Sequence, residues 1–183
     1  SAQDIAADID KQVEKITSSS TEAFTYYSKA RKYHLRWEYE EAIKLYEKAV
    51  SIDPEFAMAY RGMASAYSNL FNEEKSREFN GKAMELSDRI SDRERLQIQG
   101  QYYEQSERTY DQAIQAFNEL IELYPDDYIG NVYLGLIYEG IEEWDKAIER
   151  YKIGVETQKD ILSCGNLTDA YERNGQYDEA IQV

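Results

Sequence analysis

The stretch Tyr39-Glu40-Glu41-Ala42-Ile43-Lys44-Leu45-Tyr46 recurs along the chain with the same spacing of its aromatic, alanine and isoleucine residues. Later copies begin at Tyr110, Trp144 and Tyr177. The alanines of successive copies are 71, 34 and 33 residues apart. Because the first interval is about twice the others, we expect one degenerate copy between them. Residues 71–76 fit that place, with Ser76 where the other copies have alanine.

Each copy follows a second pattern, in which a large residue, a small residue and a tyrosine are spaced by four and then three positions. Tyr60, Ala64 and Tyr67 are one example. Steps of four and three residues keep side chains on one face of a helix. Ala42 and Tyr46 define the face of a second helix in the same way. A period near 34 residues containing two helices predicts an all-α chain of stacked helical hairpins.

The composition excludes several classes of function. The chain has 183 residues, enough for a buried core, and a formal net charge of -15, which argues against nucleic acid and anionic membranes as partners. Cys164 is the single cysteine and His34 the single histidine, so a disulfide within the chain, a cysteine-based zinc site and a multi-histidine metal site are excluded. The sequence contains no Gly-rich phosphate loop. We therefore predict no metal, no cofactor and no enzymatic activity.

At these positions the chain resembles the tetratricopeptide repeat (TPR) family. The family pattern is W-x2-L-G-x2-Y followed by Ala, aromatic, Ala and Pro in a 34-residue unit, and Leu134-Gly135 and Tyr138 match it directly. The resemblance covers residues 23–183. It implies a right-handed α-solenoid at 21–183, with about four full repeats and a truncated fifth.

The resemblance also implies a function, because TPR proteins usually bind peptides on the concave face that their first helices line. The predicted function is therefore that of a protein–protein interaction scaffold or regulatory module with a protein or peptide partner. The residues carried over to the groove by repeat position are Phe24, Tyr27, Arg31, His34, Met58, Arg61, Ser65, Ser68, Gln97, Gln101, Glu104, Ile129, Val132, Leu136 and Glu139.

Charge is distributed unevenly along this predicted groove. Arg31 and Arg61, beside Phe24 and Tyr27, suit a peptide with a carboxylate and an apolar side chain. Some TPR domains hold the C-terminal carboxylate of chaperones with a Lys/Asn/Arg clamp, but only Arg31 matches it here, so we do not expect that ligand class. Residues 1–91 carry a net charge of -3 and residues 92–183 carry -12. The asymmetry favours a basic partner at the later repeats, and a solvated acidic exterior is the alternative.

Residues 1–20 form a separate segment in the sequence. Ile5, Ile9, Val13 and Ile16 make an apolar stripe, which predicts an amphipathic helix followed by a Ser/Thr linker. The helix either covers the first repeat or connects to an upstream domain. Ser19 and Glu22 fit a capping box for the next helix.

Three expectations concern the protein beyond this groove. The chain does not begin with Met, so we expect it to be a piece of a longer protein. One alternative is therefore that it is the non-catalytic TPR region of a larger kinase, glycosyltransferase or transcriptional regulator. A second alternative is a homodimer through the C-terminal end, where the apolar face around Leu167, Ala170 and Tyr171 is expected to be partly uncovered. The free cysteine and the absence of a signal peptide favour a cytoplasmic location.

Overall fold

A computed structural model of the chain describes residues 18–125, 127–158 and 161–183. Within these ranges the backbone forms α-helices and two short 3-10 turns, Ser87–Arg89 and Glu107–Thr109, and no strand. The predicted helix around Ile5–Ile16 lies outside the described residues. The helices are α1 (Thr21–His34), α2 (Tyr39–Ile52), α3 (Ala57–Asn69), α4 (Glu73–Glu85), α5 (Asp92–Glu104), α6 (Tyr110–Leu123), α7 (Tyr128–Gly140), α8 (Trp144–Gln158), α9 (Ile161–Arg173) and α10 (Tyr177–Ala180).

The predicted helical hairpins are confirmed. Four second helices, α2, α6, α8 and α10, begin at the aromatic residue that opens each copy of the repeated stretch. The degenerate copy is α4, in which Ser76 and Asn80 occupy buried positions in place of alanine and an aromatic residue. The short 3-10 turn at 107–109 accommodates the longer connection before α6. The all-α fold class therefore follows from the spacing of the apolar residues.

The contacts divide the chain into two compact units, with the boundary between Ile98 and Gln99 inside α5. In unit 1, α1 packs on α2 and α3 on α4, and α2 also packs on α3. Small residues allow these helices to approach one another closely, and aromatic rings fill the space between them. Large buried side chains of this core include Tyr27, Tyr46, Phe56, Met63 and Tyr67.

Unit 2 has the same construction. Gly100 of α5 lies against the ring of Phe117 of α6, and the Phe117 ring stacks on Tyr133 of α7 with the centroids 5.2 Å apart. Helices α7, α8 and α9 then pack in sequence. Their buried core contains Ala147, Ile148, Tyr151, Leu167, Ala170 and Tyr171.

The segment before α1 is attached to the end of α2. The Asp53 carboxylate accepts hydrogen bonds from the Ser18 hydroxyl and the Ser19 backbone N–H, both at 2.8 Å. The N-cap of α1 is Ser20, whose hydroxyl oxygen accepts from the Ala23 backbone N–H, so the predicted cap at Ser19 was wrong by one residue. Burial acts to raise the pKa of Asp53, but its hydrogen bonds outweigh burial and lower that pKa.

The turn inside each of four hairpins contains one residue with a left-handed backbone. These residues are Trp37 (φ 64°), Phe71 (φ 56°), Glu142 (φ 61°) and Gly175 (φ 75°). Glycine adopts this conformation without steric cost, whereas a residue with a Cβ pays about 1–2 kcal/mol. Phe71 gains nothing from packing in return, since its side chain is 94% exposed.

Replacing Phe71 with glycine should therefore stabilise the chain by about 0.5 kcal/mol, after allowance for the greater freedom of glycine in the unfolded state. The matched control is Phe71→Ala, which removes the same exposed ring but keeps the strained Cβ and should bring no gain. Urea unfolding of the three chains measures the difference. An equal gain from alanine would assign the effect to the ring and not to the backbone.

Candidate functional site

The predicted groove residues of unit 1 lie on α1, α3 and α5, and we call this surface the first-helix face. Phe24, Arg31 and His34 of α1 are half-buried, as are Arg61 and Ser65 of α3. Ser68, near the end of α3, is exposed. The face therefore presents charged and polar side chains that are held in place by packing and still reach solvent.

Two predicted groove residues of unit 1 are buried in the core and do not lie on the surface. Tyr27 is only 3% exposed, and its ring centroid lies 4.9 Å from that of Phe56 and 5.8 Å from that of Tyr46. Met58 is buried in the same cluster. Neither side chain offers area to a ligand in this structure, so both act by supporting the helices that carry the other residues.

His34 is the most unusual residue of the first-helix face. Its imidazole meets the ring of Tyr39 edge-on, with 5.2 Å between the centroids, and lies 6.4 Å from the ring of Tyr46. Burial, and then the positive charges of Arg61 and Arg31, lower the pKa of His34 from 6.5 to about 4. The side chain is therefore neutral at pH 7. Its Nδ1 is buried and has no hydrogen-bond partner in the described part of the chain.

The predicted groove residues of α5 are less accessible than their positions suggest. Gln97, in unit 1, is buried. In unit 2, Gln101 is also buried and its Oε1 atom accepts no hydrogen bond in the described structure. Glu104 is half-buried at the end of the helix, and burial raises the pKa of its carboxyl group.

The predicted groove residues on α7 differ in their exposure and in their hydrogen bonds. Val132 and Ile129 are half-buried, and Leu136 is exposed. Glu139 accepts a hydrogen bond of 2.8 Å from the hydroxyl of Tyr151, which is fully buried. Burial, followed by the Glu139 charge and this hydrogen bond, raises the pKa of Tyr151. Glu139 therefore has a structural partner already.

Two features of unit 1 were not predicted from the sequence. Ser28 is half-buried on α1, one turn before Arg31, and its hydroxyl has no hydrogen-bond partner among the residues described. Its spacing of three residues from Arg31 was the available signal. A shallow depression of about 560 Å³ lies between α1 and α2 and is lined by Lys29, Tyr33, Glu41, Lys44, Leu45, Glu47, Lys48 and Ser51.

The C-terminal end differs from the expectation. Leu167, Ala170 and Tyr171 are buried against α8, so the uncovered apolar face on which the homodimer hypothesis was based is not there. The exposed apolar residues lie later in the chain, at Tyr177, Ile181 (84% exposed) and Val183. The short α10 contributes Ala180 to the cover of the α9 face.

The described residues contain no group of three or more His, Cys, Asp or Glu side chains arranged to hold a metal ion. None of the helices described here has the length and apolar character that crossing a membrane requires.

Comparison with known proteins identifies the family of these hairpins. Family models described as TPR repeat or tetratricopeptide repeat match residues 30–70, 99–157 and 163–183, together more than half of the chain. A search of curated proteins finds no similar sequence. The matched ranges include parts of all five hairpins.

Solved structures show the same fold. TTC0263, a thermophilic TPR protein of Thermus thermophilus, has a TM-score of 0.67 and 17% identity over 87% of both chains. The APC/C hetero-tetramer Cut9–Hcn1 contains a chain with a TM-score of 0.60 and 19% identity, and the match covers 88% of this protein but 32% of that chain. The repeats, the hairpins and these likenesses agree, and the chain belongs to the tetratricopeptide repeat family.

Proposed function

We propose that the protein is an interaction module that binds a peptide segment of a partner protein on the first-helix face of unit 1. The observation that supports this most directly is the set of half-buried Arg31, His34 and Arg61 side chains on α1 and α3. Both guanidinium groups act electrostatically on the half-buried imidazole of His34, so positive charge is concentrated at this part of the face. We assign the module no chemistry of its own, and the cytoplasm stays its predicted compartment.

The composition of this face indicates how a partner would be held. Phe24 contributes half-buried aromatic surface, and its ring centroid lies 6.2 Å from that of Tyr27. Arg31 and Arg61 contribute positive charge in a protein whose net charge is -15. A peptide with one apolar and one acidic side chain would match both.

Affinity enrichment from the source lysate tests the proposal. The two baits are the native chain and the variant Arg31→Glu with Arg61→Glu. The variant keeps Tyr27, because removing that buried ring would damage the core. We expect a partner that the native bait recovers and the variant loses by about tenfold or more, as the loss of one charged hydrogen bond already implies.

The matched control is Arg77→Glu with Arg89→Glu. It makes the same change of charge at exposed arginines of unit 1 that pair with Glu73 and Glu55 and that lie outside α1, α3 and α5. It should recover the same partner as the native bait. Equal recovery by all three baits would contradict the proposal and move attention to the acidic residues of unit 2.

Recovery of nothing but further copies of the chain would favour the second candidate, self-association. The exposed Tyr177, Ile181 and Val183 are the residues that support it.

A further inference from the structure

The depression between α1 and α2 is a partly apolar groove along the first hairpin. The described residues that line it all belong to these two helices, and none belongs to α3 or α4. Tyr33 and Leu45 supply apolar surface, and both pack on the hydrophobic core of unit 1. Lys29 and Lys48 add the apolar stems of their side chains, and their ammonium groups lie 5.8 and 5.6 Å from the centroid of the Tyr26 ring.

The next hairpin shows what covers this side of a first helix. Met63 of α3 stands 34 residues after Lys29, which is one repeat, and it is 1% exposed. Its neighbour Gly62 lies against the ring of Tyr46, which belongs to α2, the second helix of the preceding hairpin. On α1 the corresponding Lys29 is exposed, and the described part of the chain contains no helix before α1.

Residues 1–17, which precede the described part of the chain, match the depression in length and charge. Their apolar stripe from Ile5 to Ile16 would extend over about 17 Å as a helix, and the depression follows α2 from Glu41 to Ser51, about 15 Å. The segment has four acidic and two basic residues, and the depression has three lysines and two glutamates. Their net charges are therefore opposite.

The point at which this segment joins the described chain lies beside one end of the depression. Ser18 and Ser19 are hydrogen-bonded to Asp53, which directly follows α2, and the depression extends to the last turn of α2. The connection 17–20 to α1 is as long as the connection 53–56 between α2 and α3. Connections of this length join antiparallel helices that are neighbours in space.

We propose that residues 1–16 form a helix that docks in this depression, with its apolar stripe against Tyr33 and Leu45. The docked helix takes the place of the second helix of a preceding hairpin, antiparallel to α1 and parallel to α2. Removal of the stripe from water favours docking. The proposal uses no residue of the first-helix face, so it goes beyond the proposed function and does not rest on it.

The repeat also predicts which residues of the docked helix and α1 lie side by side. Tyr46 of α2 contacts Gly62 of α3. Gln12 and Ser28 are the residues one repeat of 34 positions before these two. Docking in the same register therefore brings Gln12 next to Ser28. Glu14 lies about 200° further around the helix and faces away from α1.

Cross-linking of paired cysteines tests the docked position in the full chain with Cys164→Ser. The first pair is Gln12→Cys with Ser28→Cys, treated with a short bifunctional thiol reagent. We expect a cross-link within one chain, identified by mass spectrometry of the digested protein. The matched pair, Glu14→Cys with Ser28→Cys, should give no more cross-link than the same chain unfolded in urea.

Two further variants of the first pair test the apolar stripe. Ile9→Asp with Val13→Asp should lower the yield of cross-link by about tenfold or more, since burial of one such side chain is already worth a factor of ten. Gln3→Asp with Ala7→Asp adds the same charge away from the stripe and should leave the yield unchanged. Labelling of the single thiol of Ser28→Cys by a monofunctional reagent should be slower in the native segment than after Ile9→Asp with Val13→Asp.

Each other outcome overturns the docked helix. Cross-links that join two chains, with none inside a chain, would assign the depression to the segment of a second copy. Equal yields from Gln12 and Glu14, or a yield that survives Ile9→Asp with Val13→Asp, would show that the segment has no fixed place. No cross-link, together with labelling of Ser28→Cys at one rate in both chains, would show that the depression is uncovered. The affinity enrichment with the Arg31 and Arg61 variant tests the proposed function separately.

Discussion

Replacing Gly135 with alanine should lower the free energy of unfolding by about 3 kcal/mol, the upper end of the cost of overpacking a core. An added Cβ would lie within 3 Å of Cδ1, Cε1 and Cζ of the Tyr151 ring. That ring is fully buried, and its hydroxyl donates to Glu139 at 2.8 Å. It cannot move aside without breaking a charged hydrogen bond, so α7 and α8 must separate.

The control for this variant is Gly81→Ala in α4. Nothing lies within 4 Å of a Cβ added there. Alanine in a helix interior is about 0.5–1 kcal/mol better than glycine, so this variant should be more stable than the native chain. Urea unfolding followed by circular dichroism measures both changes. A Gly135→Ala chain as stable as the native one would contradict the contact between α7 and α8.

The same kind of contact recurs in the hairpin of α5 and α6, where Gly100 lies against Phe117. Gly62 of α3 instead lies against Tyr46 of α2, the second helix of the preceding hairpin. Alanine at Gly100 therefore tests the packing within a hairpin, and alanine at Gly62 tests the packing between neighbouring hairpins.

Acidification from about pH 7.5 to about pH 5 should lower the stability of the chain by about 2 kcal/mol through His34 alone. Burial, Arg61 and Arg31 lower the pKa of His34 from its ordinary 6.5 to about 4. As the pH falls through 6.5, the unfolded chain takes up a proton that the native chain accepts only near 4. The unfolded state is therefore favoured across this window, and the loss is complete below pH 4.

The variant His34→Phe isolates this contribution. Phenylalanine keeps a ring beside Tyr39 and Tyr46 but cannot take up a proton. The carboxylates of the chain titrate equally in both proteins, so the difference between their pH dependences belongs to His34. Urea unfolding at the two pH values gives that difference. Parallel curves for the two proteins would show that His34 takes up its proton normally in the native state.

The helices could be predicted because apolar spacing encodes burial directly. Each repeat has small or aromatic residues where it contacts a neighbouring helix, as at Ala42 and Tyr46. The same spacing predicted that helices begin at Tyr39 and Tyr110, as they do. Ser76 and Asn80 are buried as well, because the spacing of the repeat places them toward the neighbouring helices although neither is apolar.

The accessibility of the groove could not be predicted in the same way. Tyr27 shares a helical face with Arg31, yet Phe56 and Tyr46 cover it. Likewise, the cover over Leu167 depends on how α8 and α9 pack. Such facts depend on residues far away in the chain, which helical spacing does not record.

The order in which the helices contact one another has a consequence for synthesis. Within each unit the main contacts join helices that follow one another in the chain, such as α1 with α2 and α7 with α8. A hairpin needs only its own two helices to leave the ribosome before it can form. The nascent protein can therefore gain structure from its first hairpin onward. Each exposed apolar face is covered as soon as the next helix has been synthesised.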